Sequence, residues 1–193
     1  MFHDLDSTLA ELLKRELPPA LVEQVSFTFA TPDGQFPPSS VALPTINLFL
    51  YEIQENRELR SHDAWVDRQP DGRASRVTAP VRVDCHYLVT AWAKSEQPER
   101  DEHRLLGDVM RVLLRHRELP AEVLRGSMKE QAFPLRAAVM ATSQQQSRGD
   151  FWQALGGRPR AAFNYTVTVS IDVHEPEDLG PVVIEARTGA GRS

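Results

Sequence analysis

The sequence predicts an α+β fold, a single domain in which a mixed β-sheet is flanked by helices. Three observations predict it. The run Thr45-Ile46-Asn47-Leu48-Phe49-Leu50-Tyr51-Glu52-Ile53 is apolar on both strand faces, the pattern of a strand covered on each side. Segments 81–93 and 163–173 alternate apolar and polar residues, as half-buried strands do. Helical stripes lie before and between them with no strict strand–helix–strand alternation, which favours an α+β layer over a doubly wound sheet.

Taken in order, Asp6 or Ser7 is expected to cap a first helix with Leu5, Leu9, Leu12 and Leu13 at helical spacing. Pro18-Pro19 stop it. Val25 to Phe29 reads as a short strand, and Pro32-Asp33-Gly34 as a turn. In the strand at 45–53, Ile46, Leu48 and Leu50 are expected on one face and Phe49, Tyr51 and Ile53 on the other. Residues 57–80 then interleave Arg57, Arg60, Arg68, Arg73 and Arg76 with Glu58, Asp63, Asp67 and Asp71, around a turn at Pro70-Asp71-Gly72. They predict a protruding hairpin or loop carrying Trp65. A lone tryptophan among charges is a plausible anchor for a partner.

Val81, Val83, Cys85, Tyr87, Val89, Ala91 and Ala93 share one face of the next strand. Pro98 opens a helix to about Arg117 with Leu105, Leu106, Val109, Met110, Leu113 and Leu114 as its stripe. Segment 133–141 reads as a strand and Gly149 to Leu155 as a short helix. In the last strand Phe163, Tyr165, Val167, Val169, Ile171 and Val173 face the core, while Thr166, Thr168 and Ser170 face water or something polar. Residues 1–180 are expected to form one domain with its arm at about 57–80, and 181–193 a flexible tail.

The totals exclude some functions. A net charge of −5 gives no support for a duplex nucleic-acid binder, which would carry a basic face. One cysteine, Cys85, permits no internal disulfide, and this fits a reducing compartment. No apolar run reaches the ~18 residues that a membrane span needs, and the first residues lack a signal pattern. A soluble cytoplasmic protein without membrane contact is expected.

Enzyme signatures are missing. There is no Gly-rich phosphate loop and no Gly-x-Ser-x-Gly elbow. The six histidines show no metal spacing, so neither metal nor cofactor is expected. Cys85 and His86 are adjacent on a strand and point to opposite faces, so they cannot pair as nucleophile and base. Asp84 and His86 do share a face. They read as structural polar residues, with an acid/base pair as the alternative. Arg148-Gly149-Asp150 matches a short adhesion tripeptide, but Asp150 is better explained as a helix cap.

The residues Ile46-Asn47-Leu48-Phe49-Leu50-Tyr51, then Asn56 and Leu59-Arg60, resemble a bacterial family of contractile injection systems. Asp84-Cys85-His86-Tyr87-Leu88-Val89-Thr90-Ala91-Trp92 and Leu105-Leu106-Gly107 extend the resemblance in the same order. The family comprises the cap, or tail-terminator, proteins of extracellular phage-tail-like particles such as the antifeeding prophage. Some members carry a second, C-terminal domain. The resemblance implies a phage tail-terminator-like fold and a structural, non-enzymatic role. It implies a homo-hexameric ring, built in the cytoplasm into a phage-tail-like particle. There it would end tube and sheath polymerisation at the end distal to the baseplate. The implied partners are the chain itself and the tube and sheath proteins. The candidate contact residues are Arg57, Arg60, Trp65, Arg68, Arg73, Arg76, Thr166, Thr168 and Ser170, on the arm and on the last strand, which could add to unpaired sheath strands. The alternatives are another structural subunit of the same particle (baseplate or adaptor), an enzyme using Asp84 and His86, or a stand-alone oligomeric binding protein.

Overall fold

A computed structural model describes residues 1–68, 73–140 and 148–181. Helices α1 (Phe2–Glu16) and α2 (Pro19–Val22) lead into strands β1 (Ser26–Thr28), β2 (Thr45–Glu55), β3 (Ala64–Arg68), β4 (Arg73–Thr78) and β5 (Val81–Trp92). Then come α3 (Pro98–Arg115), β6 (Arg136–Val139), α4 (Arg148–Ala154), β7 (Ala162–Ile171) and β8 (Glu177–Pro181). One sheet has the order β1-β2-β5-β7-β6 and a second the order β3-β4-β8. β1 pairs parallel to β2 and the other pairs are antiparallel, so the main sheet is mixed. The expected turn at 70–72 lies outside the described residues. So does the expected tail at 181–193, apart from Pro181 at the end of β8.

The main core cluster lies on one face of the main sheet, while Trp92 of β5 packs on Phe36 on the other. Leu5, Leu9, Leu12 and Leu13 of α1 are fully buried, together with Val109 of α3. They join Cys85, Tyr87 and Val89 of β5 and Tyr165 and Val167 of β7 in one cluster. Truncating one such leucine to alanine typically costs about 2–5 kcal/mol, because its neighbours close the hole only in part. Two sulfur and phenol groups in this core are shifted by burial. The Cys85 thiol is pushed up to about 12, and the Tyr87 phenol is raised further still, by burial and then by the nearby Asp6 carboxylate.

Several elements depart from the pattern the sequence suggests. α1 begins at Phe2, not after Asp6, because Leu5 belongs to the buried stripe. Asp6 therefore lies inside the helix, where it accepts a hydrogen bond from the Tyr87 hydroxyl at 2.8 Å. Leu17 is extended ahead of Pro18, as a residue before proline prefers, and the helix stops there.

In β2 the register against β5 shifts between Leu50 and Glu52, leaving Tyr51 as the extra residue. The bulge turns Ile53 onto the face of Ile46, Leu48 and Leu50, opposite Cys85, not onto that of Phe49. Nor is β2 buried throughout: Thr45 to Leu48 are buried, but its second half emerges and Ile53 is 47% exposed. On α3, Val112 takes the buried place expected for Leu114, which is 48% exposed on the outer side.

β8 had no periodic signal. Its residues, Glu177-Asp178-Leu179-Gly180-Pro181, are a poor strand sequence, and it exists through pairing with β4. The second sheet thus joins the arm to the segment that follows β7.

Candidate assembly interface

The arm leaves the main sheet where β2 ends. Asn56 fixes the exit with four contacts. Its amide N–H donates to the Arg82 carbonyl at 2.8 Å. Its side-chain oxygen caps the following 3-10 turn by accepting from the Leu59 N–H at 3.0 Å. Its side-chain nitrogen donates to both Asp84 oxygens, at 3.2 and 3.0 Å. Thr168 of β7 donates to the same carboxylate at 2.6 Å. Three strands are therefore tied at the root of the arm.

Beyond this root β3 is bare, whereas β4 is half-covered, with Ala74 buried. All five residues of β3 are exposed, with Trp65 at 44% and Val66 at 52%. Among the described residues β3 pairs only with β4, so its outer edge is open. An open edge with exposed apolar side chains is a template for another strand.

The candidate residues fall into two groups. Arg57 lies exposed in the 3-10 turn. Arg60 forks onto the Glu55 carboxylate, donating from Nε at 2.6 Å and also from Nη2, and holds that carboxyl below its ordinary range. Arg68 ends β3, and Arg73 pairs with Asp178 of β8. Arg76 is exposed between Val66 and Glu177. These five and Trp65 all belong to the arm or its root.

Thr166, Thr168 and Ser170 are placed differently. They are buried, at 7%, 8% and 5% exposure. β7 is paired by β5 on one edge and by β6 on the other, and Gln131 bonds the Ser170 backbone N–H and carbonyl beyond β6. Among the described residues both edges of β7 are occupied from Thr166 to Ser170, so strand addition there would have to displace β6 or Gln131. Alternation reveals which residues share a face. It does not reveal what covers that face.

Asp84 and His86 also prove to be internal fittings. The His86 ring contacts Thr166 Oγ1 at 2.9 Å through Nδ1 and Gln54 Nε2 at 2.8 Å through Nε2. Asp84 is held by Asn56 and Thr168. The two side chains bond different partners, with no hydrogen bond between them among the described residues. Nor does any group of three His, Cys, Asp or Glu side chains gather as a metal site among those residues. What sequence reasoning missed is the pairing of Asn56 with Asp84. The only signal was an Asn just past one strand's end and an Asp near the polar start of the next long strand.

The sequence profile of the Pvc16 N-terminal domain matches residues 4–185. Two solved structures share the fold. One is the sheath/tube terminator, in the extended state, of the extracellular contractile injection system PVC, with 25% identity and a TM-score of 0.71. That match covers 100% of this chain and 64% of that one. The other is the anti-feeding prophage cap, a tube terminating cap, with 24% identity and a TM-score of 0.64 over 96% of this chain and 60% of that one. The chain thus spans less than two thirds of the length of either structure. No curated protein matches the sequence.

Proposed function

The chain belongs to the Pvc16 N-terminal domain family, and from that premise we propose that it is a structural terminator of a contractile injection particle. It ends growth of the tube and sheath at the end distal to the baseplate, acting without catalysis. The observation that carries this reading is the likeness to a sheath/tube terminator along the entire chain. The arm adds a physical reason. A sheath whose rings knit by exchanged strands leaves its last ring with strands unpaired, and the open edge of β3 offers them hydrogen-bond partners. Trp65, Val66 and the arm arginines supply the side-chain contacts.

In this reading the subunit is made in the cytoplasm and closes into a six-fold ring on the tube. Each subunit of such a ring needs two different contact patches, one for each neighbour. No helix among the described residues is long and apolar enough to cross a membrane. Catalysis by Asp84 and His86 would need polar atoms turned to a substrate, and theirs are turned to Asn56, Thr168, Gln54 and Thr166.

Electron microscopy of particles from cells with and without the chain tests the proposal. Tubes and sheaths of uncontrolled length, premature contraction, or loss of particles in its absence are the expected result. Particles of normal length and normal ends would overturn it. A defect confined to the baseplate end would assign the chain to another structural subunit.

A further inference from the structure

The outward face of α3 carries a feature that its own chain does not explain. Gly107 stands mid-helix and is exposed, and a Cβ built there would meet nothing within 4 Å. Glycine weakens a helix interior relative to alanine, and no neighbour within the chain requires its small size. A partner that comes close to the helix backbone would require it.

The residues around Gly107 describe that partner. With 3.6 residues per turn, Arg100, Arg104, Arg111 and Leu114 fall on the same side as Gly107, opposite the buried Leu106, Val109 and Leu113. Arg104 has no ion-pair partner among the described residues, while Arg111 bonds Asp108 at 2.9 Å from a side chain 70% exposed. This is a basic face around a bare glycine and one apolar side chain, on a chain whose net charge is −5. The complementary surface exists on the same chain. The segment from Asp172 to Asp178, which runs from the end of β7 into the first two residues of β8, is exposed throughout. It carries Glu175 and Glu177, which have no ion-pair partner among the described residues, and Val173 at 54% exposure.

We propose that α3 is one half of the contact between copies of this chain, and that the acidic β7–β8 segment of the neighbouring copy is the other half. Val173 packs on Leu114, and Glu175 and Glu177 meet Arg104 and Arg111. The acidic segment crosses the helix at Gly107, where no side chain holds it off. The contact is head-to-tail, using two different patches, as a closed ring requires. It rests on the terminator reading for the ring and names the surfaces that build it.

The test uses the full chain in cells that encode it. Leu114→Cys and Val173→Cys are placed on two separately tagged chains, which are oxidised together or singly. The native Cys85 is fully buried and does not interfere. The expected result is a mixed disulfide dimer from the pair and no dimer from either chain alone, since a head-to-tail contact never brings like positions together. Arg104→Glu with Arg111→Glu on the Leu114→Cys chain abolishes the mixed dimer. Glu175→Arg with Glu177→Arg on its mate restores it. Absence of mixed dimers, or dimers indifferent to charge reversal, overturns the contact. Lost length control on removing the chain, alongside that negative, would leave the terminator reading standing. Normal particles without the chain would sink that reading and leave the dimer result to decide the contact.

Discussion

The side-chain nitrogen of Asn56 bridges both carboxylate oxygens of Asp84, and through that one pair the arm is tied to the centre of the sheet. Asn56 belongs to the exit from β2, whereas Asp84 lies on β5 and is bonded in turn by Thr168 of β7. The Asn56 side-chain amide is thus the tie at the arm's root that reaches two neighbouring strands. Asn56→Ala leaves the Asp84 carboxylate with a single side-chain donor and removes the cap of the 3-10 turn. The expected loss of stability is about 1–3 kcal/mol, the usual penalty for a polar group deprived of its partner. Hydrogen exchange of β3 and β4 should quicken well before that of β5. Equal protection of the arm in both proteins would show that Asn56 does not hold it.

A second polar tie reaches into the core, where the Tyr87 hydroxyl donates to Asp6. Burial raises the Asp6 carboxyl above its ordinary range, and the Tyr87 bond offsets this in part. The folded state therefore holds the Asp6 proton at a pH where the unfolded chain has released it. Stability from this group falls as pH rises through the ordinary carboxylate range to the raised folded value, and the deficit persists above it. Asp6→Asn still accepts from Tyr87 and removes this pH dependence. Urea unfolding between pH 4 and pH 7 should show Asp6→Asn gaining on the native chain as pH rises. A constant difference across that range would refute the assignment. Asp6→Ala should cost about 1–3 kcal/mol, because the Tyr87 hydroxyl loses its acceptor.

Which parts of this arrangement were legible in the sequence follows from where each signal comes from. Hydrophobic periodicity located α3, β5 and β7, since their burial is one-sided and regular. It located β2 but assigned Ile53 to the wrong face, because a bulge at Tyr51 is invisible to a period of two. It could not find β8, whose Asp178 and Gly180 are paired only because β4 lies alongside. Strands β3 and β4 both fall within the charge-rich segment 57–80. The burial of Thr166 and Thr168 was not legible, because these hydroxyls are covered by neighbours distant in sequence, such as His86 and Asp84.

Two glycines should respond to alanine with opposite signs. Gly126 has φ of 50°, and a Cβ there would collide with the Asp4 carboxylate. Asp4 in turn accepts from the Ser127 hydroxyl at 2.7 Å and backbone N–H at 3.2 Å, which joins the start of α1 to the loop after α3. Gly126→Ala should destabilise the chain by about 1–3 kcal/mol from backbone strain alone, with the displacement of Asp4 adding to it. Gly107→Ala meets no neighbour and should stabilise the isolated chain by about 0.5–1 kcal/mol. Thermal unfolding of both variants checks the pair, and a loss of stability in Gly107→Ala would contradict the account of α3.

Cys85 should behave as a core side chain and not as a reactive thiol. Burial, followed by the Asp84 and Asp6 charges, pushes its thiol up to about 12. At pH 8 the thiolate that attacks a disulfide reagent is therefore scarce as well as inaccessible. Labelling of the native chain should proceed only as fast as it unfolds, and urea should release it. Rapid stoichiometric labelling of the folded chain would show that the β5 core opens far more freely than its packing implies.

Trp65 separates folding from assembly most cleanly. Its ring stands 44% exposed on β3 and outside the core cluster, so Trp65→Ala leaves the core packing intact. Stability should stay within about 0.5 kcal/mol, as for a surface substitution. If the arm docks on the last ring of the particle, the same change removes the largest exposed side chain from the contact. Anchors of this kind contribute about 2 kcal/mol or more to binding. Cells that make the Trp65→Ala chain should therefore yield particles with the length or end defects of cells that lack it, although the subunit itself is folded. Val66→Asp, beside it on the same open strand, should act in the same direction. Normal particle ends with both variants would remove the arm from the interface and shift the search for the tube and sheath contact to the main sheet.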